Sequence, residues 1–231
     1  MNFHASDREL IFLSWPIFVE LLMVVIIGNI NVWMISQFNE VAVASVGATN
    51  QLLSLSVYIY GFVTIGTQIM IAQFIGAKKN REIPEIINTA IFAGLAIGLI
   101  LSICFYFFPE KLLGFMNLPA EVIQIGLPYA KIYGGGVFIA AVNAIMVASL
   151  RTHGYTKQAL LIPMSASFLA VIGNYLALFS PFGLPHLGVE GLAFSALFSN
   201  FIAFNVAHRL LKNMWVMSYF LHVNIRFLSL N

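Results

Sequence analysis

The sequence predicts an all-α integral membrane protein that folds as a six-helix transmembrane bundle. Of its 231 residues, 60% are hydrophobic and only 9% are charged, whereas an ordinary soluble domain has about 25% charged residues. Six apolar segments reach the length of about 20 residues that a helix needs to cross a bilayer. Because the hydrocarbon core offers no water, backbone groups must bond within the protein, which favours packed helices over strands here.

The six predicted spans follow one another with short connectors between them. The first span is longer than the apolar core of a signal peptide and has no small-residue cleavage site, so it is interpreted as retained. Turn or charge signals separate the spans, in QFNE, GAKKNREIPE, PEKLLGFMNLPAE, RTHGYTKQ and SPFGLPHLG. The spans cover residues 11–36, 46–74, 86–108, 122–150, 158–179 and 188–211.

Lysine and arginine are distributed unequally between the two sides of the membrane. With the N-terminus in the cytoplasm, eight of the eleven fall on the cytoplasmic side and two outside, and the eleventh, Arg226, lies near the end of the sequence. Cytoplasmic loops are typically rich in basic residues, so we expect a multi-pass protein of the cytoplasmic (inner) membrane with both termini in the cytoplasm. The eight are Arg8, Lys78, Lys79, Arg81, Arg151, Lys157, Arg209 and Lys212, and the two are Lys111 and Lys131.

Small residues recur within the spans and predict close helix packing. They are Gly94 and Gly98, the triplet at 134–136, and Gly188 with Gly191. Helix interfaces in membranes are enriched in small residues because these let two backbones approach closely. The alternative for the triplet is a hinge in the fourth span.

The chain divides into a bundle at residues 1–211 and a divergent tail at 212–231. The tail reads KNMWVMSYFLHVNIRFLSLN, and its aromatic and basic residues suit an interfacial helix. A frameshifted or truncated reading frame is the alternative.

Composition and motifs exclude several other classes of protein. No basic stripe is present that could neutralise the phosphates of a nucleic acid. Cys104 is the only cysteine, so neither an internal disulfide nor a thiol metal cluster can form. The connectors carry no phosphate-binding loop and no hydrolase motif, and the five histidines lack metal-ligand spacing. An enzyme or a metal site is therefore not predicted.

Two polar residues of the first span share one helix face. An ionisable residue such as Glu20 costs about 2.5–3.5 kcal/mol at mid-span, which makes it a candidate site. Asn31 is 11 residues further on, which at about 100° per residue is three turns plus about 20°. Asn29 lies about 180° from Glu20 by the same count and is expected to serve helix packing or to face water at the lipid side near the outer end of the span. Glu20 is either a proton or cation carrier or a structural partner of another helix, and Asn31 is either a site residue or an interhelical hydrogen bond.

Other polar residues are expected at the depth of Asn31, in the outer half of the bundle. Asn31 lies about 8 Å from the outer end of its span, at a rise of about 1.5 Å per residue. Amides and hydroxyls at this depth could line one pocket, where they would coordinate Na⁺, bond a substrate or hold helices together. They are Gln51, Asn174 and Ser195, with Asn50 and Ser54.

Several stretches resemble, in order and spacing, the multidrug and toxic compound extrusion (MATE) family. They are WPIFVELL, GNINVWMISQFNEVAVASVGATNQ, IAQFIGAK, LRTHGYTKQA and GNYLALFSPFGLPHLGVEGLAFSALFSN, and together they cover about residues 8–211. The resemblance implies an exporter that exchanges H⁺ or Na⁺ for organic, often cationic, compounds. Family members have twelve helices in two bundles of six, with the substrate cleft between the bundles, and this chain is similar to the first bundle only.

The resemblance also marks site positions, and this sequence departs from the family at most of them. The first helix of the family usually carries an aspartate 15 residues after the proline that matches Pro16, and Asn31 stands there in this chain. Members whose first bundle binds a cation have an asparagine and an aspartate in the fifth helix and a threonine in the sixth. The matching residues here are Asn174, Leu178 and Ala196. An amide does not titrate, so Glu20 is the carboxylate of the first span that could take up a proton.

The sequence thus predicts the N-terminal lobe of a cation-coupled multidrug efflux antiporter. The expected residues of the substrate and cation pathway are Glu20, Asn31, Gln51, Asn174 and Ser195, with Na⁺ at Asn31 and Asn174 as one option. No cofactor is expected besides the coupling ion, H⁺ or Na⁺. Expected partners are membrane lipid, small organic substrates, and a second half-transporter or a second copy of the chain. The alternatives are a truncated membrane protein that does not transport and a half-transporter that works as a dimer.

Overall fold

The computed structural model is an all-helical bundle. It describes residues 5–179 and 187–228, with side chains at 15, 18, 19, 21–179 and 187–213. Eight helices and no strand occur in these residues. The helices are α1 (Ala5–Phe38), α2 (Glu40–Gly76), α3 (Ile83–Phe107), α4 (Pro109–Gly114), α5 (Ala120–Gly135), α6 (Val137–Thr152), α7 (Thr156–Phe179) and α8 (Gly188–Leu228).

Five of the helices are long and apolar enough to cross a membrane, namely α1, α2, α3, α7 and α8. The bent pair of α5 and α6 makes a sixth span when its two parts are taken together. The predicted six-span bundle is therefore confirmed. The first two helices begin six residues before their predicted spans, at Ala5 and Glu40, since a helix can continue past the hydrocarbon core into the headgroup region.

The helix ends follow from local sequence. Asn39 caps α2, because its Oδ1 accepts hydrogen bonds from the backbone amides of Val41 at 2.7 Å and Ala42 at 3.3 Å. A proline stands in the first turn of both α3 and α4, where its missing N–H leaves no hydrogen bond unmade. After α2 the chain turns through Lys78, which has a left-handed φ of 58°. A glycine usually occupies such a position because its backbone adopts this conformation without strain.

The fourth predicted span is wrong in one respect, because residues 122–150 do not form a single helix. The span consists of α5 and α6, which meet at a bend of 47°. The glycine triplet lies at this bend and is tightly packed. An added Cβ on Gly134 would lie 2.5 Å from Cβ of Phe105 in α3, and one on Gly136 would overlap Leu197 in α8. The triplet thus serves close packing, as predicted, and also marks a break in the helix.

A side chain from a neighbouring helix stabilises this break. The first amides of a helix have no partner within the helix. At the start of α6 the amide of Phe138 donates to Oγ of Ser102 in α3, at 3.1 Å. Ser102 is 5% exposed, so the bend depends on a buried tertiary contact as well as on local sequence.

Two further segments differ from the predicted spans. The connector before α5 contains the short helix α4, which the sequence reading did not identify. The last helix continues without interruption from Gly188 to Leu228, so the backbone shows no break at residue 211. Side chains beyond residue 213 are outside the described ones, and the division into a bundle and a tail stays a prediction.

The helices pack in pairs around buried apolar clusters. α7 packs along α8, α3 packs along α6, and α1 contacts both α7 and α2. Gly94 and Gly98 of α3 face Ile145 and Phe138 of α6 too closely for a larger residue, which confirms their predicted packing role. Large apolar side chains on the outer faces are exposed, such as Phe62 at 77%. In a membrane protein such faces contact lipid tails.

Candidate functional site

Two of the predicted site residues meet between α1 and α7. Nδ2 of Asn174 donates a hydrogen bond to Oδ1 of Asn31, at 3.0 Å. The two residues are 143 positions apart in the sequence, so the contact exists only because α1 packs against α7. Side-chain hydrogen bonds between membrane helices contribute about 0.6 kcal/mol on average. This bond therefore joins two spans, whatever further role the residues have.

Asn174 also holds a buried oxygen that has no partner. The residue is 8% exposed, whereas Asn31 is only partly buried. Oδ1 of Asn174 accepts no hydrogen bond from any described group. Unsatisfied buried polar atoms are rare and costly, and an unseen ligand is one common reason for them. An amide oxygen has two lone pairs, so Asn31 also keeps acceptor capacity, and the pair offers two neutral oxygens at the α1–α7 contact.

Ser195 packs against α7 at Gly173, the residue before Asn174, and its hydroxyl is engaged in helix packing. Its Oγ donates to the backbone carbonyl of Ala170 in α7, at 3.0 Å. A Cβ on Gly173 would overlap that hydroxyl, so Ser195 packs against the residue that precedes Asn174. The structure thus gives Ser195 a role at the α7–α8 contact, and a role in transport stays a prediction.

Gln51 is exposed on α2, and the described residues show no hydrogen bond between it and the amide pair. Its neighbour Asn50 instead accepts a hydrogen bond from the hydroxyl of Tyr129 in α5, at 3.2 Å. The expected outer pocket is therefore divided between two helix pairs, α1 with α7 and α2 with α5. A functional role for Gln51 also stays a prediction.

The sequence reading missed a group of tyrosine hydroxyls inside the bundle. The rings of Tyr129 and Tyr133 lie 5.6 Å apart on α5, and the Tyr129 hydroxyl makes the bond to Asn50 given above. This bond is a polar contact between α2 and α5. The sequence feature that could have indicated this group is the four-residue spacing of Tyr129 and Tyr133. Aromatic residues that only pack against each other on a helix have the same spacing, so the feature is not specific.

The position of Glu20 is known only along the chain. It lies within α1, but its side chain is outside the described ones. All six carboxylates with described side chains are exposed, and each stands at the N-terminus of a helix, where the helix dipole favours negative charge. They are Glu40, Glu82, Glu85, Glu110, Glu121 and Glu190. The described interior of the bundle therefore contains no carboxylate.

Two more positions bear on the chemistry of the pair. Leu178 lies one helical turn after Asn174 and is 3% exposed within the apolar core, so it offers no ligand oxygen. Asn29 does not serve packing between these helices, because its exposed side chain donates to the carbonyl of Val25 in its own helix, at 3.0 Å. The described residues contain no group of three His, Cys, Asp or Glu side chains that could hold a metal ion. The amide pair is thus suited to a neutral contact with a cation or with a hydrogen-bond donor.

The chain matches known transporters along most of its length. It is 34% identical over 183 residues to the uncharacterized transporter YisQ of Bacillus subtilis, covering 79% of this chain and 40% of that protein. It is 25% identical over 195 residues to the probable multidrug resistance protein NorM of Thermotoga maritima, covering 84% and 42% of the two chains. The chain therefore spans about 40% of the length of these curated relatives.

The fold is that of solved MATE structures. A MOP superfamily transporter from Pyrococcus furiosus superimposes with a TM-score of 0.77 at 21% identity, over 86% of this chain and 43% of the other. A multidrug resistance MATE family transporter in an outward-facing conformation gives the same TM-score, identity and coverage. The MatE family model matches residues 16–176. Because this match covers more than half of the sequence, the chain belongs to the MatE family of membrane transporters.

Proposed function

We propose that this chain forms the first lobe of an exporter that uses H⁺ or Na⁺ to expel small organic compounds. The observation that carries the proposal is the contact between Asn31 and Asn174, which places two amide oxygens, one of them buried and unpartnered, between two spans. Membership of the MatE family supports transport as the general activity. The probable multidrug resistance function named for the Thermotoga maritima relative supports organic compounds as the cargo.

Glu20 is the proposed proton carrier of this lobe. The described carboxylates all stand exposed at helix ends, so they remain in contact with water or headgroups. Glu20 is the acidic residue of the first apolar span, nine residues from its start, where an ionisable group is costly and is retained mainly for function. A carboxyl that gains a proton in one state and loses it in another changes the charge of the pathway by one unit. Asn31 and Asn174 stay neutral throughout, since amides do not titrate.

Na⁺ is the second option for coupling, and the geometry restricts it. Hard cations in proteins are held by several oxygen ligands. The pair supplies two amide oxygens, and Asn31 Oδ1 already accepts the bond from Asn174. Leu178 adds no oxygen. A Na⁺ ion here would need backbone carbonyls or water as further ligands. Glu20 cannot be one of them, because it stands 11 residues before Asn31, about 16 Å away along α1.

Transport of a fluorescent cation by cells that lack their own efflux pumps tests these roles. We expect efflux by cells expressing the chain to depend on external pH or Na⁺, and Glu20→Gln to remove the pH dependence. Glu190→Gln is the matched control, because Glu190 is exposed at the start of α8. Efflux whose pH dependence is the same in Glu20→Gln as in the unaltered chain would contradict the role of Glu20.

A second lobe is the proposed partner, supplied either by another chain or by a second copy of this one. The coverage of about 40% of the relatives supports a larger transporting unit. Cross-linking in membranes followed by gel analysis, run beside the efflux assay, separates the cases. Efflux with a cross-linked dimer supports a half-transporter. A chain that stays monomeric in membranes and gives no efflux supports the non-transporting alternative.

The proposed orientation places both termini in the cytoplasm. The basic residues of the α2–α3 and α6–α7 connectors and of the end of α8 support it, because cytoplasmic loops are rich in Lys and Arg. In a Cys104→Ser background, single cysteines at Lys78 and Lys157 should resist a membrane-impermeant maleimide in intact cells. A cysteine at Glu110 should react. The reverse pattern would show the opposite orientation.

A further inference from the structure

A groove between α2 and α3 lies outside the site described above. Its cavity volume is about 470 Å³, within the range of about 300–1,000 Å³ that ligand pockets occupy. Apolar side chains and small residues form most of its wall, along 63–74 of α2 and 86–93 of α3. The one buried hydroxyl of the wall, that of Thr67, donates to the carbonyl of Val63 in its own helix. The interior of the groove is therefore suited to a hydrocarbon chain.

The length of the groove matches one leaflet of a membrane. Residues 63 and 74 are 11 positions apart, which corresponds to about 16 Å along a helix. Half of the hydrocarbon core of a bilayer is about 15 Å. The groove begins beside the α2–α3 connector at residues 77–82, so it runs from the membrane surface to about the midplane. A lipid acyl chain that starts at the headgroup has the same path.

The mouth of the groove carries charges of both signs. Glu82 and Glu85 line it and are exposed. Lys79 Nζ lies 3.8 Å from Oε1 of Glu82 and 5.9 Å from the ring centre of Phe74. Arg81 belongs to the same connector, whereas no ion pair joins Glu85 to a described cation. A headgroup at this mouth would thus meet a carboxylate that is open to an ammonium group and basic side chains that are open to a phosphate.

We propose that the groove binds a phosphatidylethanolamine molecule of the adjacent leaflet. One acyl chain lies between α2 and α3, the ammonium group contacts Glu85, and the phosphate contacts Lys79 and Arg81. The headgroup of an anionic lipid such as phosphatidylglycerol has no ammonium group and would leave Glu85 without a partner. The basic side chains disfavour a lone organic cation, which has no phosphate. The proposal does not depend on transport or on which side of the membrane the connector faces.

Native mass spectrometry of the purified chain in mild detergent tests the proposal. The probes are phosphatidylethanolamine and phosphatidylglycerol with the same palmitoyl and oleoyl chains. We expect the unaltered chain to retain the former in clear preference. Glu85→Gln, an exposed change that leaves packing intact, should reduce this preference up to about fivefold, as expected for an exposed charge pair.

A change inside the groove tests the position of the acyl chain. Gly66 lines the groove and an added Cβ on it meets no atom within 4 Å, so the side chain of Gly66→Leu starts in open space at the groove. It should lower phosphatidylethanolamine retention at least about tenfold, since it fills space that the chain needs. Gly61→Leu is the matched control, because Gly61 lies on the same helix in open space and outside the groove. Circular dichroism of each variant checks that it is folded.

Three results would overturn the proposal. The first is equal retention of the two lipids by the unaltered chain. The second is equal phosphatidylethanolamine retention by the Gly66→Leu and Gly61→Leu variants. The third is binding of tetraphenylphosphonium that Gly66→Leu abolishes, without a preference for phosphatidylethanolamine, which would assign the groove to organic cations. None of these measurements involves efflux, so a failure here is separate from a failure of the proposed transport function.

Discussion

The hydrogen bond between Asn31 and Asn174 predicts an asymmetry between two similar substitutions. Asn31→Ala leaves the buried Asn174 with its donor and its oxygen both unpaired, and we expect a loss of about 1–2 kcal/mol of unfolding free energy. Asn174→Ala removes the bond too, but it also removes the buried oxygen that already lacks a partner. Its cost should therefore be smaller, within about 1 kcal/mol of the unaltered chain. The more exposed residue is thus the more sensitive one.

A double-mutant cycle measures the interaction itself. The coupling energy between the two positions should be about 0.6 kcal/mol and at most about 1.7 kcal/mol, the range found for hydrogen bonds between membrane helices. Unfolding by sodium dodecyl sulfate in mixed micelles, followed by circular dichroism, supplies the free energies. Asn29→Ala is the control and should change stability by less than about 0.5 kcal/mol, because Asn29 bonds only within its own helix.

Two results would refute this reasoning. A coupling energy of zero within error would show that the bond does not join α1 and α7 in the membrane. A larger cost for Asn174→Ala than for Asn31→Ala would show that the oxygen of Asn174 is paired in the native protein.

Three further predictions concern stability and use the same unfolding assay. Ser102→Ala should cost about 1 kcal/mol, since an amide at the start of α6 loses its cap, and an unchanged stability would show that water replaces the hydroxyl. Gly98→Ala should cost about 1–3 kcal/mol, because the added Cβ would lie 2.6 Å from the Cα of Phe138. Gly61→Ala is the control and should leave the stability of the chain unchanged, because Gly61 faces open space. Lys78→Gly should stabilise the chain by up to about 1 kcal/mol, because glycine adopts the left-handed φ of 58° without strain. A loss of stability would show that the lysine side chain contributes more to stability than the backbone strain costs.

The sequence by itself determined the number of spans and the general class of protein. Hydropathy suffices for this because every backbone group in hydrocarbon must bond internally, so an apolar segment of sufficient length becomes a helix. The glycines at 94 and 98 were also predictable, because small residues mark close helix contacts. The ordered motifs added the likeness to the MATE family, which the family match over residues 16–176 confirmed. The likeness to one six-helix lobe is confirmed by the solved transporter that superimposes on 86% of this chain with 43% of its own length.

Tertiary structure decided where the fourth span breaks and which polar residues meet. The glycine triplet allowed either packing or a bend, and the bend of 47° is stabilised by Ser102 from α3, a residue with no signal in its own segment. Similar depth in the membrane suggested that Asn31, Gln51, Asn174 and Ser195 line one pocket. The depth of a residue in the membrane does not determine which neighbouring helix its side chain faces. That is determined by which helices pack together and by how each is rotated about its axis. Packing of α1 on α7 joined Asn31 to Asn174, whereas the orientation of α2 left Gln51 exposed.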